Sequence, residues 1–186
     1  MRKNFGAKPY TYPQPVWIVG SYDENQVADA MNVAWGGISE INQIAMCLSE
    51  DHKTVKNIMK RGAFTISMAT AKYVVECDYF GVVSANKVPD KISKAGFHVL
   101  KSEFVDAPLF EELPMALECR LISYDEESCM MLGEIINVSA EESILGENGK
   151  IDPSKLDPIT FDPVSNSYYR LGEKVGYAFK DGLTLK

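Results

Sequence analysis

The sequence predicts a mainly β fold: an antiparallel β-barrel, closed or partly closed, with a few short helices added. Three observations carry this. In "MALECRLIS", Met115, Leu117, Cys119 and Leu121 fall on one face and Glu118 and Arg120 on the other, the period of two of a strand. Helical periodicity is confined to short stretches and never alternates regularly with strands, which argues against a doubly wound parallel sheet. The 186 residues, 46% hydrophobic and without repeat, linker or low-complexity tract, suit one domain with a sizeable core. The expected organisation is a single domain over residues 1–186 with an irregular arm over 1–15, where three prolines and two tyrosines fall.

Along the chain, "VWIVGSY" (Val16 to Tyr22) reads as a strand ending at the turn "DEN". "VADAMNVAW" follows as its hairpin partner, and "IAMCLSE" (Ile44 to Glu50) as a third strand. The period then changes. "KTVKNIMKRG" sets Val55, Ile58 and Met59 at helical spacing, with Thr54 as N-cap and Lys60, Arg61 and Gly62 at the end. "AFTISMA" is again a strand. "TAKYVVECDYFG" reads as a helix capped by Thr70, "VPDKISKAG" as a short helix stopped at Gly96, and "FHVLKSEFV" as extended. "CMMLGEIINVSA" pairs with "MALECRLIS" through a turn at "YDEES". "LGENGKIDPSKLDPITFDP", rich in Gly, Pro and Asp, reads as a long surface connection, and the aromatic "SYYRLGEKVGYAFKDG" closes the chain.

Composition excludes several functions. The net charge of −7 and the lack of a basic run argue against nucleic acid. No apolar run is long enough to cross a membrane, and the start has no secretory h-region, so the expected compartment is the cytoplasm. Cys47, Cys77, Cys119 and Cys129 form no C-x-x-C pair, and with only His52 and His98 beside them no zinc spacing exists, so no metal is expected. G-x-G-x-x-G at a helix start, a P-loop and a G-x-S-x-G elbow are all missing, and no catalytic residue is expected.

Three stretches carry chemistry. "DAMNVAWGG" (Asp29 to Gly37) ends a strand with an amide at Asn32, an aromatic wall at Trp35 and bare backbone at Gly36 and Gly37, the parts a planar heterocycle needs. The same residue types suit a barrel corner with Trp35 in the core. "LSEDHKTVKN" joins a strand to a helix N-terminus, whose free N–H groups attract anions, with Ser49, His52, Lys53 and Thr54 at hand. It equally suits a capped surface helix. "CDYFGVVSANKVPDK" holds Gly81, Ser84, Asn86 and Lys87 in a polar loop that could close over a ligand or simply connect two helices.

Taken in order, these stretches, with "DAPLFEELPMALECRL", "LGEIINVSAEESIL", "GKIDPSKLDPITFDP" and "YYRLG" after them, resemble the flavin reductase-like family of FMN-binding split barrels, in its flavoredoxin-like branch. The resemblance spans about Tyr12 to Gly172. It implies a six-stranded antiparallel Greek-key barrel, a homodimer, and FMN held near the dimer interface. Met31, Asn32, Val33, Ala34 and Trp35 would edge the flavin ring. Ser49, Lys53 and Thr54 would meet the phosphate, and Ser84 and Lys87 would belong to the loop over the phosphate end. The chain departs from the pattern at two places. Asn32 stands where many relatives have Thr or Ser. Ser84-Ala85-Asn86 stands for Ser-Gly-Arg, which removes a bidentate phosphate grip and leaves Lys87 as a point charge.

The resemblance implies an FMN-dependent oxidoreductase that takes hydride from transiently bound NADH or NADPH and passes electrons on. The alternative is a flavoredoxin-like carrier fed by another redox protein, such as a ferredoxin. A barrel that has lost its flavin is the third reading. His98 reads as a structural or surface residue, and Tyr168, Tyr169 and Arg170 read as docking the C-terminal segment in preference to reaching the flavin or the partner subunit.

Overall fold

The computed structural model describes residues 1–186. Its strands are β1 (Gln14–Pro15), β2 (Trp17–Tyr22), β3 (Ala28–Val33), β4 (Gly36–Glu40), β5 (Gln43–Cys47), β6 (Ala63–Met68), β7 (Val99–Lys101), β8 (Pro108–Phe110), β9 (Met115–Asp125), β10 (Met130–Ala140), β11 (Ile159–Asp162) and β12 (Ser167–Arg170). Four short helices are added: α1 (Lys53–Arg61), α2 (Val74–Val82), α3 (Lys91–Lys94) and α4 (Pro153–Leu156). The main sheet is wholly antiparallel, in the order β3-β2-β6-β9-β10-β5-β4.

That order forces the curl. The edge strands β3 and β4 are consecutive in the chain, separated only by Ala34 and Trp35. A flat seven-stranded sheet would hold its edges about 29 Å apart, whereas the three residue steps from Val33 to Gly36 reach about 11 Å at most. The sheet therefore bends until its edges meet, which is a half-barrel closed at Ala34–Trp35. The Cys47 N–H donates to the Trp35 carbonyl at 2.9 Å on the far side of this seam.

The count is seven strands where six were expected, because Gly36 and Gly37 begin β4 and do not form a corner. Other expectations shift in detail. Gln14 and Pro15 leave the irregular arm to pair with β11. "TAKYVVECDYFG" opens with a 3-10 turn over Ala71–Tyr73 before α2. "FHVLKSEFV" is extended only over Val99–Lys101. The long connection after β10 contains α4 and β11. Glu118 lies on the face opposite Leu117 and Cys119, as the alternation predicts, and is buried there, where it accepts from the Ser102 hydroxyl and from Asn137 Nδ2. The alternation of β9 holds, and the segment carrying Ser102 covers this second face.

Two apolar cores flank β2, which explains why it is buried along its whole length. Trp17 and Val19 face the inside of the curl with Met31, Val33, Ile44, Met46, Phe64 and Ile66. Val16 and Ile18 face outwards beneath α2 and α3, against Cys77, Phe80, Ile92 and Phe97. Val55 and Ile58 of α1 plug one end of the barrel core. Helix α1 stops at Gly62, which is left-handed (φ 68°) and donates to the Ile58 carbonyl. No helix is long and apolar enough to cross a membrane.

The N-terminal arm is anchored through Tyr12, whose hydroxyl donates to Asp162 on β11. The Ser165 hydroxyl, then the Tyr12 hydroxyl and the Val164 N–H, hold the Asp162 carboxyl down at about 2. A depressed carboxyl contributes in full above the ordinary aspartate value of about 3.9, and the contribution is lost as pH falls through about 2. Pepsin is therefore expected to cut residues 1–15 progressively as pH is lowered across this window, ahead of the barrel, with the released fragments identified by mass.

Candidate functional site

Where the sheet's seam, the start of α1 and the end of α2 converge lies a cavity of about 380 Å3, within the range of about 300–1,000 Å3 that small-molecule pockets occupy. The end of β3 supplies Met31, Asn32, Val33, Ala34 and Trp35. Helix α1 supplies Lys53 and Thr54 with His52 before them, and the segment Phe80–Ala85, including Ser84, forms the facing wall. Eight of the sequence-predicted residues thus share one cavity. Ser49 and Lys87 do not line it and are exposed. Asn86, at the position of the missing arginine, is also exposed and outside it.

Helix α1 begins without a side-chain cap. Thr54 is not its N-cap. His52 occupies that position with no side-chain cap bond, and no acidic residue stands in the first turn. The opening N–H groups of α1 and its dipole are therefore free to act on an anion. Lys53 leans over this end, paired with Asp23 at 3.3 Å. Burial works against the charge on Asp23, but the Val27 and Asn25 N–H groups and the Lys53 ammonium outweigh it and hold the carboxyl below its ordinary range.

Thr54, the next residue of α1, is buried, and its hydroxyl donates to Asp29 Oδ2 at 2.6 Å. Asp29 also faces Lys91 of α3 at 3.1 Å, with side chains only 1% and 3% exposed. The contact is an ion pair without hydrogen-bond geometry, so Asp29 Oδ1 has no true donor. The Lys91 ammonium instead donates to the Val83 carbonyl at 3.0 Å, which pins the facing wall to β3. Asp29 and Lys91 both line the cavity, and neither is among the candidate residues named from the sequence. A signal existed for Asp29. It alternates with Met31 and Val33 on one face of β3, and a lone acid on a buried face needs a partner. For Lys91 there was none, since it and Lys87 lie in the same polar stretch and only the turn between them decides which points inwards.

Asn32 is committed in part. Its Nδ2 donates to the Cys77 carbonyl on α2 at 2.9 Å, which leaves the side-chain oxygen for a ligand. Gly81 permits this approach, because a Cβ there would stand 3.1 Å from the Asn32 Cβ. Tyr168 of β12 reaches the same helix and donates to Asp78 at 2.7 Å, so it docks β12 as expected. Burial pushes the Cys77 thiol up to about 12, and it stays protonated. His98 is exposed and contacts Glu112 at 2.7 Å, away from the cavity.

The cavity therefore offers a flat apolar wall, an amide edge and a positively biased helix end, in a chain of net charge −7. The flavin reductase like domain model matches residues 10–159, most of the chain and every lining residue. The chain belongs to the flavin reductase-like family. It shares 40% identity and a TM-score of 0.94 with the flavoredoxin of Desulfovibrio vulgaris (Miyazaki F), over 98% of this chain and 100% of that one. With the flavoredoxin of Methanosarcina acetivorans it shares 29% identity and a TM-score of 0.90, over the whole of both. An FMN-binding domain of a flavin reductases-like enzyme from Shewanella baltica, 18% identical at a TM-score of 0.79 over 88% of this chain and 89% of that one, shares the split-barrel fold. The chain spans about half the length of the curated relatives it matches. Family membership agrees with the mainly β half-barrel of this flavin reductase-like protein.

Proposed function

We propose that the chain binds FMN in the cavity at the seam and works as an electron-transferring flavoprotein, with NADH or NADPH as donor. The observation that carries the reading is the N-terminus of α1, with no side-chain cap and no acidic residue of its own in the first turn, opening beside the flat end of β3 in an acidic protein. The α1 N–H groups, Lys53 and Ser84 would take the phosphate. Neither Asn86 nor Lys87 replaces the absent arginine, so the phosphate grip rests on α1. The backbone of Val33 and Ala34, the Asn32 oxygen and Trp35 would take the ring and its polar rim. Lys91 adds positive charge beneath, fixed in place by Asp29 and the Val83 carbonyl.

The bound flavin supplies the redox chemistry. The chain's own part is to bind, orient and keep water out. Phe80, Val82 and Val83 close the wall opposite α1, and the protonated Cys77 takes no part. We also propose a homodimer. The free edge of β4 lies next to the cavity and exposes Trp35 (55%) and Ile38, with Ile41 just beyond, an apolar strip that a second copy would cover.

A second reading is a carrier fed by another redox protein, favoured by the 40% identity to a flavoredoxin. Anaerobic NADH and NADPH separate the two. Bleaching of the flavin absorbance supports the enzyme, and an unbleached flavin that dithionite reduces supports the carrier. Lys53→Ala tests the site itself. It is expected to weaken FMN retention about tenfold or more, the scale of one charge-assisted hydrogen bond, while far-UV circular dichroism stays unchanged.

A further inference from the structure

Strands β7 and β8 form a sheet of their own, two strands of three residues each, outside the main sheet. So short a pair is marginal by itself. Phe110 anchors it in the core, but Val99 and Leu100 are exposed. At the end away from the connecting loop the ladder continues by one bond, from the Glu111 N–H to the His98 carbonyl at 3.1 Å. His98 and Glu111 are thereby cross-strand neighbours, and Glu112 follows directly.

Three ligand groups meet at this end. A ring nitrogen of His98 and a carboxylate oxygen from each of Glu111 and Glu112 all lie within 4.8 Å of one another. Glu112 is already held in place. One of its oxygens accepts from the His98 N–H at 3.0 Å, and the other faces His98 Nδ1 at 2.7 Å. Its side chain is 12% exposed against 71% for His98, so a largely buried carboxylate forms the base and the imidazole a movable arm. The two carboxylates also border a groove of about 410 Å3 whose charged lining is four acids against two lysines. Both lysines are engaged elsewhere. Lys72 sits over the Tyr73 ring, 4.7 Å from its centroid, and Lys155 donates to the Leu145 carbonyl. The corner therefore favours a cation.

We propose that His98, Glu111 and Glu112 bind one divalent transition-metal ion of the zinc type, with water in the remaining position, and that the ion clips the open end of the β7–β8 hairpin. One imidazole with two carboxylates is a mixed nitrogen and oxygen set. It suits Zn2+ and its neighbours in the first transition row, whereas Mg2+ and Ca2+ take oxygen ligands. Zinc ligands of this kind, at about 2.0–2.2 Å, stand roughly 3.4 Å from one another. The His98–Glu112 contact has to open and the looser spacing to close, each by roughly 1 Å. Nδ1 gives up its proton to take the metal, and the neutral ring keeps one on Nε2 in solvent. None of the three residues lines the seam cavity, so the site does not rest on the FMN reading. No short spacing motif marks it, because the hairpin brings together His98 and Glu112 from 14 positions apart.

The test is a Zn2+ titration of the 15N-labelled full chain, with the ring nitrogens of His98 and His52 followed by long-range proton–nitrogen NMR. His98 Nδ1 is expected to shift saturably at one equivalent while His52 stays in place. His98→Gln and Glu111→Gln each remove one ligand from an exposed side chain, so circular dichroism should not change. Each should weaken Zn2+ binding, read by calorimetry, by at least the tenfold that loss of an outer-shell partner costs. Saturating Zn2+ should also slow hydrogen exchange at the Glu111 amide, and should not do so in His98→Gln. Mg2+ should not displace Zn2+. The proposal is overturned by Zn2+ uptake at His52 or at a cysteine without a shift at His98, by unchanged affinity in the two variants, or by Mg2+ binding as tightly as Zn2+.

Discussion

Replacing Asp29 with alanine is expected to destabilise the protein by about 3–5 kcal/mol, the penalty of stranding a buried charge. The Lys91 ammonium would keep only the Val83 carbonyl, and the Thr54 hydroxyl would lose its acceptor. The pair is not itself a large source of stability, because desolvation offsets most of its attraction. Removing both charges, as Asp29→Ala with Lys91→Met, should therefore recover most of the loss. Urea unfolding of the wild type, the two single variants and the double variant measures this as a coupling energy. Simple additivity would contradict it. The double variant also separates folding from binding. It should be close to wild type in stability and still retain FMN poorly, because positive charge has gone from beneath the cavity.

The second large effect is expected at the seam. A Cβ on Gly36 would stand 2.3 Å from the Trp17 ring and 2.9 Å from the Ala45 carbonyl oxygen. Trp17 is buried in the barrel core and Ala45 is a strand partner on β5, so neither can yield cheaply. Gly36→Ala should therefore cost about 1–3 kcal/mol or more, as overpacking does, and should shift Ala34 and Trp35 away from the cavity. Gly37→Ala is the matched control. Its Cβ meets nothing within 4 Å, and thermal unfolding should show little change. Equal effects at the two positions would contradict the account of how the barrel closes.

These two glycines also show what the sequence could and could not disclose. That a Trp and a Gly pair marked a special place was legible from residue type alone. That they start a further strand was not, because β4 is polar and exposed for most of its length and carries no burial pattern. Only the sheet order, which makes β3 and β4 its two edges, explains the need for Gly36. The hairpin of β2 with β3 and the pairing of β9 with β10 were legible, since alternation and turn residues are local signals. The lining of the cavity was legible where it follows backbone position, as at Met31–Trp35 and at the start of α1. It was not legible at Asp29 and Lys91, whose meaning depends on each other across 62 residues of chain. Ser49 and Lys87 failed to reach the cavity for the same reason in reverse. Their residue types suit a phosphate, but each sits where its loop turns outwards.

The central claim is that the seam cavity holds FMN, and the visible absorption spectrum of the purified protein tests it most directly. The spectrum is recorded as isolated, and again after loading with FMN and removal of the excess. The account predicts a retained flavin spectrum in stoichiometric amount, reduced in Lys53→Ala. A protein that folds, loads and then releases all its flavin on removal of the excess would contradict it.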